Sequence, residues 1–185
     1  MYKGYEDAII LAQQKLDALN PIDVCGRSGV KHENGVYIIP WLGDAKRLDE
    51  LSGMEKVLCL HYLTSDGTKK PTGKHISFRD VNKAGFYEPI FTARAIRPLI
   101  KRFGTDTSGF VSAGEKLRGV PFSAGDAAVT INVLPNLPIS YIIWIGDDEM
   151  PANASILFDE TAPRWLPAED LVVAASLGTY KMLKG

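Results

Sequence analysis

The chain has 185 residues, 45% hydrophobic and 23% charged, with 21 Lys and Arg against 22 Asp and Glu for a formal charge of −1. These are the proportions of an ordinary globular domain able to bury a core without disulfides or a structural metal. They exclude a histone-like nucleic-acid binder and an acidic disordered chain.

The first element is an amphipathic helix from about Gly4 to Leu19, because Tyr5, Ala8, Ile9, Ala12, Leu16 and Leu19 share one stripe. Asn20-Pro21 stops it, and a β region follows. Within that region Asn34-Gly35, between Val30-Lys31-His32 and Val36 to Ile39, signals a hairpin. Ser52-Gly53-Met54-Glu55 has the pattern of a capping box, opening a helix through about Leu63. The middle of that helix, Val57-Leu58-Cys59-Leu60, is apolar all round and so belongs in the interior. A short strand runs from Lys74 to Phe78. Pro89 to Phe103 then reads as a helix kinked at Pro98, with Ala95, Ile96, Leu99, Ile100 and Phe103 on its inner side. Another helix spans Ser108 to Arg118. Val129, Ile131 and Val133 alternate with Ala128, Thr130 and Asn132, which predicts a strand with one buried face. Leu134 to Pro138 turns the chain into Ile139 to Ile145, apolar on both faces and therefore central. A short strand near Ile156-Leu157-Phe158 and a last helix from Pro167 complete the chain. The expectation is one α+β domain over 1–185: a mostly antiparallel sheet packed with an N-terminal helix, central helices and a C-terminal helix.

The uncharged run from Ala127 to Gly146 has the length of a membrane span, but Pro135, Pro138, Asn132 and Asn136 divide it into a hairpin. Met1 to Asp7 contains no basic stretch leading into an apolar one, so the chain reads as lacking a secretory signal and as cytoplasmic. Cys25 and Cys59 are the only cysteines and lie in apolar surroundings, which fits reduced, packed thiols. Two thiols cannot supply the four ligands of a [4Fe–4S] cluster. His32, His61 and His75 are too scattered for a metal site, and no metal or cofactor is expected. Gly67 to His75 misses the phosphate-loop pattern in both glycine spacing and the residue after Lys74.

Charge placement is more informative. Lys69 to Arg102 holds nine basic residues against Asp80 and Glu88, whereas Asp106 to Asp170 holds ten acidic residues against three basic ones. The two segments either neutralise each other or frame a site. As a site, Lys74, His75 and Arg79 on the strand and its exit would face Arg94 or Arg97 and bind an anion. The patch lacks the interleaved aromatics of single-strand nucleic-acid binders. Asp147, Asp148 and Glu149, directly after the most hydrophobic strand, form either a solvated turn or a base or metal ligand.

Leu60-His61-Tyr62-Leu63, Thr72 to Arg79, Gly125-Asp126, Trp144 to Pro151, Leu157-Phe158-Asp159 and Leu166 to Leu171 run in order over the chain. As a set they resemble a family catalogued as domain of unknown function 3786. The resemblance implies an anaerobic bacterial or archaeal setting, in which some members carry a cysteine-rich iron–sulfur segment that this chain lacks. It places an aromatic residue, often Trp, where His75 stands, and it carries no catalytic residues. The implied role is a non-catalytic binding or accessory module of iron–sulfur or corrinoid-linked metabolism, taking a small anionic ligand or a redox-protein partner. An alternative is an enzyme for a small anionic substrate, with Lys74, Arg79, Arg94 and Arg97 as clamp and Asp147, Asp148 or Glu149 as base. A third is a structural subunit presenting Trp41, Tyr62 or Trp165 to a partner.

Overall fold

The computed structural model describes residues 3–42, 45–68 and 70–185; Met1 and Tyr2 of the N-terminal stretch and Lys69 of the basic run lie outside them. The fold is α+β, with its antiparallel strands divided between two sheets. The chain forms two compact units, one of residues up to Lys70 with Arg164–Leu166, the other of Pro71–Pro163 with Pro167–Gly185.

In the first unit, helix α1 (Lys3–Asp17) buries Ala12 and Leu16 and packs on α3 (Gly53–Leu63). Asn20-Pro21 ends α1, but the segment that follows is helical and not β. The Asn20 side chain accepts from the Ile22 N–H at 2.9 Å, Pro21 presets the first turn, and α2 runs Pro21–Ser28. The residues that stop one helix thus start the next. A three-stranded antiparallel sheet follows, β1 (Lys31–Glu33), β2 (Val36–Ile39) and β3 (Lys46–Arg47). Its hairpin turns at Asn34 and Gly35, both with positive φ (51° and 79°), as a two-residue turn of the primed type requires. Helix α3 buries Val57 to Leu60, Tyr62 and Leu63, as its apolar sequence suggests. Its capping box does not form: Gly53 enters at φ 56°, and the Ser52 side chain makes no cap bond. Tyr62 stands between Trp41 (edge-on, 5.5 Å) and Trp165 (stacked, 5.0 Å). Trp165 comes from the short helix α7 (Ala162–Trp165) and covers Gly67 so closely that a Cβ there would lie 2.3 Å from the indole.

The second unit is built on a five-stranded antiparallel sheet of order β4-β8-β7-β6-β5. Its strands are β4 (His75–Ser77), β5 (Val120–Pro121), β6 (Ala127–Leu134), β7 (Leu137–Trp144) and β8 (Asn153–Asp159). β7 is the middle strand, in keeping with its apolar character on both faces. β8 is longer than the sequence suggested and lies inside the sheet, between β4 and β7. The helices are α4 (Glu88–Phe91), α5 (Arg97–Phe103), α6 (Thr107–Lys116), α7 (Ala162–Trp165) and α8 (Ala168–Lys184). α4 and α5 join through one π-helical stretch, Thr92–Ile96, in which the Arg97 N–H reaches the Thr92 carbonyl. Pro98 has no N–H for the regular ladder, and the irregularity falls in the turn before it.

One face of this sheet packs on helices. Gly114 of α6 lies against Val129, and Gly178 of α8 lies against Tyr141 and Val133. The Tyr141 hydroxyl donates to the Ala175 carbonyl at 3.0 Å. The opposite face carries His75, Leu157, Ser140 and Thr130, with Phe122 beside it.

Candidate functional site

The strand and turn that carry Lys74 and His75 are held by one buried carboxylate. Asp159, 2% exposed, accepts from the Gly73 N–H (2.7 Å), the Thr161 N–H (2.9 Å) and the Thr161 hydroxyl (2.6 Å). Burial alone would raise its pKa, but these bonds and one from the Thr72 backbone outweigh it and hold the carboxyl below its usual range. Asp159 is therefore an anchor for the Thr72-Gly73-Lys74 turn. Lys74 pairs with Glu160 at 3.0 Å, and Thr72 donates to the same carboxylate at 3.1 Å.

His75 heads the edge strand. Its Nε2 lies 2.9 Å from the Ser140 hydroxyl, which lies 2.7 Å from that of Thr130, and its ring is tilted against Phe122 at 5.6 Å. This polar chain crosses the sheet face, yet Ser140 is 1% exposed in the middle of a strand, out of a substrate's reach. Asp159, the carboxylate paired with His75 in register, is committed to the turn. His75 does what an aromatic residue would do at this position, packing on Phe122, with a hydrogen bond added.

Arg79 follows β4 in a 3₁₀ turn and pairs with Glu88, at the start of α4, at 2.5 Å. The strand exit and the helix do approach each other, but through a carboxylate. Arg94 and Arg97 lie exposed on the outer side of the helix whose inner side buries Ala95, Leu99 and Phe103. Lys101 continues that outer side. Arg97 and Lys101 have no carboxylate partner among the described residues.

The acidic loop closes the β7–β8 connection. Asp147 Oδ1 accepts from the Met150 N–H (2.7 Å) and the Glu149 N–H (2.9 Å), and the two together hold its pKa below the ordinary value. The Asp147 N–H donates to the Met150 carbonyl, and the Gly146 N–H to the Gly104 carbonyl. Asp147 is thus a turn-former, while Asp148 and Glu149 point to solvent. Beside the loop is a cavity of about 370 Å³ lined by Asp126, Trp144, Ile145, Met150, Pro151 and Asn153. Asp126 Oδ2 accepts from the Ile145 N–H at 2.8 Å and so fixes the cavity wall. In the sequence Trp144 and Asp126 stand out only as parts of the stretches that carry the family resemblance, and not as site residues. The available signal was a Trp-Ile pair continuing past the last residue that the sheet can bury.

A second cavity, of about 360 Å³ in the first unit, has Asp17, His32, Tyr37, Asp49 and Lys56 among its lining residues. None of Lys74, His75, Arg79, Arg94 or Arg97 lines either cavity. Cys25 and Cys59 are both free thiols, and no cluster of three metal-ligating side chains occurs among the described residues. Among those residues no helix is long and apolar enough to cross a membrane.

The architecture defines an α+β protein whose second unit covers one face of an antiparallel sheet with helices and builds its loops with side-chain to backbone bonds. The chain belongs to the family described as Domain of unknown function (DUF3786), which matches residues 21–181. Comparison with curated proteins and with solved structures finds no match.

Proposed function

We propose that the chain is a non-catalytic, cytoplasmic binding module that presents a basic helix face to an anionic partner, in the setting of anaerobic redox metabolism that its family resemblance implies. The observation that carries this reading is Arg97 and Lys101 on the outer side of α5. Both are exposed and have no carboxylate partner among the described residues, while Lys74 and Arg79 are each engaged by a glutamate. Cations left unpaired along one helix side attract an anionic surface at long range and lose that attraction in salt. The enzyme alternative needs a cationic clamp and an acidic base around one cavity. The cavity beside the acidic loop has no basic residue in its lining.

Immobilised heparin, used as a polyanion probe, tests the reading. A protein of net charge −1 binds such a column only through a local basic patch. The expected result is retention at low salt, with Arg97→Glu plus Lys101→Glu eluting at lower salt or in the flow-through. The same change of charge at the exposed Lys15 and Lys31 should leave elution close to wild type. Wild-type protein in the flow-through, or equal shifts for both pairs, would overturn the proposal.

A further inference from the structure

The cavity beside the acidic loop joins two features that rarely coexist on a solvated turn. Three large apolar side chains stay in water, Trp144 at 38%, Ile145 at 45% and Met150 at 67% exposed. The charges on the cavity lining and on the loop itself are negative. Asp126 lines the cavity, Asp147, Asp148 and Glu149 lie on the loop, and residues 144–153 contain no Lys or Arg. Asp126, Asp148 and Glu149 form no ion pair among the described residues. A turn that served only solubility would not expose Trp and Met, and contiguous apolar surface rimmed by charge is characteristic of interaction sites.

The surface is also held in place before anything binds. Asp126 fixes the Ile145 backbone, Asp147 closes the loop on Glu149 and Met150, and Gly146 is bound to Gly104. Gly146 sits so close to the Ala152 backbone that a Cβ would approach its nitrogen to 2.7 Å. A loop fixed in this way loses little conformational freedom on binding.

We propose that this cavity docks a segment of a partner protein carrying a Lys or Arg next to an apolar side chain. Charge complementarity selects the occupant. The ammonium or guanidinium group would lie against the Trp144 ring and the free carboxylates, and the apolar neighbour against Ile145, Met150 and Pro151. The site is opposite in sign to the outer side of α5 and takes a different ligand, so it can stand or fall without the anion-binding reading. With both, the chain would join a basic partner to an anionic one.

The test is a titration of isotope-labelled protein followed through the three Trp indole N–H signals, with Trp144 assigned as the one lost in Trp144→Phe. The probes are acetyl-LRLKL-amide and its neutral counterpart acetyl-LQLQL-amide. The expected result is a saturable shift of the Trp144 signal by the cationic peptide, with the Trp41 and Trp165 signals unmoved. Asp148→Asn with Glu149→Gln should weaken binding about tenfold, and Met150→Ser should weaken it further. The unmoved Trp41 and Trp165 signals also report that each variant is folded. Equal binding of the neutral peptide, no shift at about 10 mM peptide, or undiminished binding by the Asp148/Glu149 variant would overturn the proposal. So would concentration-dependent self-association that Trp144→Ala abolishes, since the occupant would then be a second copy of the chain.

Discussion

Asp159 shows how a single side chain can position a strand without taking part in chemistry. It is buried, and its two oxygens serve donors from both sides of the β4–β8 pair, Gly73 and Thr72 on one and Thr161 on the other. Replacing it by Ala leaves several donors without an acceptor in a site that water does not reach. Asp159→Ala is therefore expected to cost about 3 kcal/mol, read from urea unfolding midpoints. The Lys74–Glu160 pair beside it is largely exposed and contributes little by comparison. If the loss were as small as for an exposed pair, the turn would be held by something other than this carboxylate. The same logic explains why neither the basic nor the acidic candidates could be ranked from sequence. Lys74 and Arg97 look alike in the chain, and only the fold shows that Glu160 engages one and that no carboxylate among the described residues engages the other.

At the level of elements, much of the fold was legible wherever local chemistry and tertiary packing agree. The Asn34-Gly35 hairpin, helix α3, the alternation along β6 and the two-sided apolar character of β7 all carry their outcome in adjacent residues. Helix α2 was not legible, because Asn20-Pro21 ends one helix and begins another with the same two residues. The length and interior position of β8 depend on β4, more than 70 residues earlier in the chain, which no local pattern reports. The α4–α5 junction is the third case. Pro98 announced an irregularity, but its form is a π turn supported from another helix: the Thr179 hydroxyl of α8 donates to the Ala95 carbonyl at 3.0 Å. Thr179 is 1% exposed, so Thr179→Val keeps its shape while removing the donor. The expected cost is about 1 kcal/mol, measured as a lower urea midpoint. Thr179→Ser keeps the donor and should recover the hydrogen-bond part of that loss. Equal losses in both variants would mean that the methyl group's packing, and not the bond to Ala95, supports the junction.

For the whole molecule, the near-neutral total resolves into local pairings. Within the basic run, Lys74, Arg79 and Arg102 find Glu160, Glu88 and Asp106, two of those partners coming from the acidic segment. Stability should accordingly depend on pH through many small contributions of one sign on each side. On the acid side, Asp80 is held low by the Ser77 hydroxyl and N–H, Asp106 by the Gly109 N–H and Ser108, and Glu160 by Lys74 and Thr72. Asp147 and Asp159 behave likewise. A carboxyl depressed in the folded state favours folding at pH above its unfolded value, and that contribution disappears as pH falls through the folded one. On the alkaline side burial raises Cys25, Tyr37 and Tyr141, and the Glu169 carboxylate raises Tyr87. Groups raised in the folded state favour folding at pH below their unfolded values and lose that contribution as pH rises through the folded ones. Urea midpoints between pH 3 and 11 should therefore form a plateau between about pH 5 and 9 and fall on both sides. Asp106→Asn with Asp147→Asn should lower the plateau and flatten its acid limb, leaving the alkaline limb unchanged. Tyr141→Phe should lower the plateau through the lost bond to Ala175 and flatten the alkaline limb, leaving the acid limb's slope unchanged. A midpoint that rose as pH dropped from 5 to 3 would contradict the assignment of these carboxylates as charged acceptors within the folded chain.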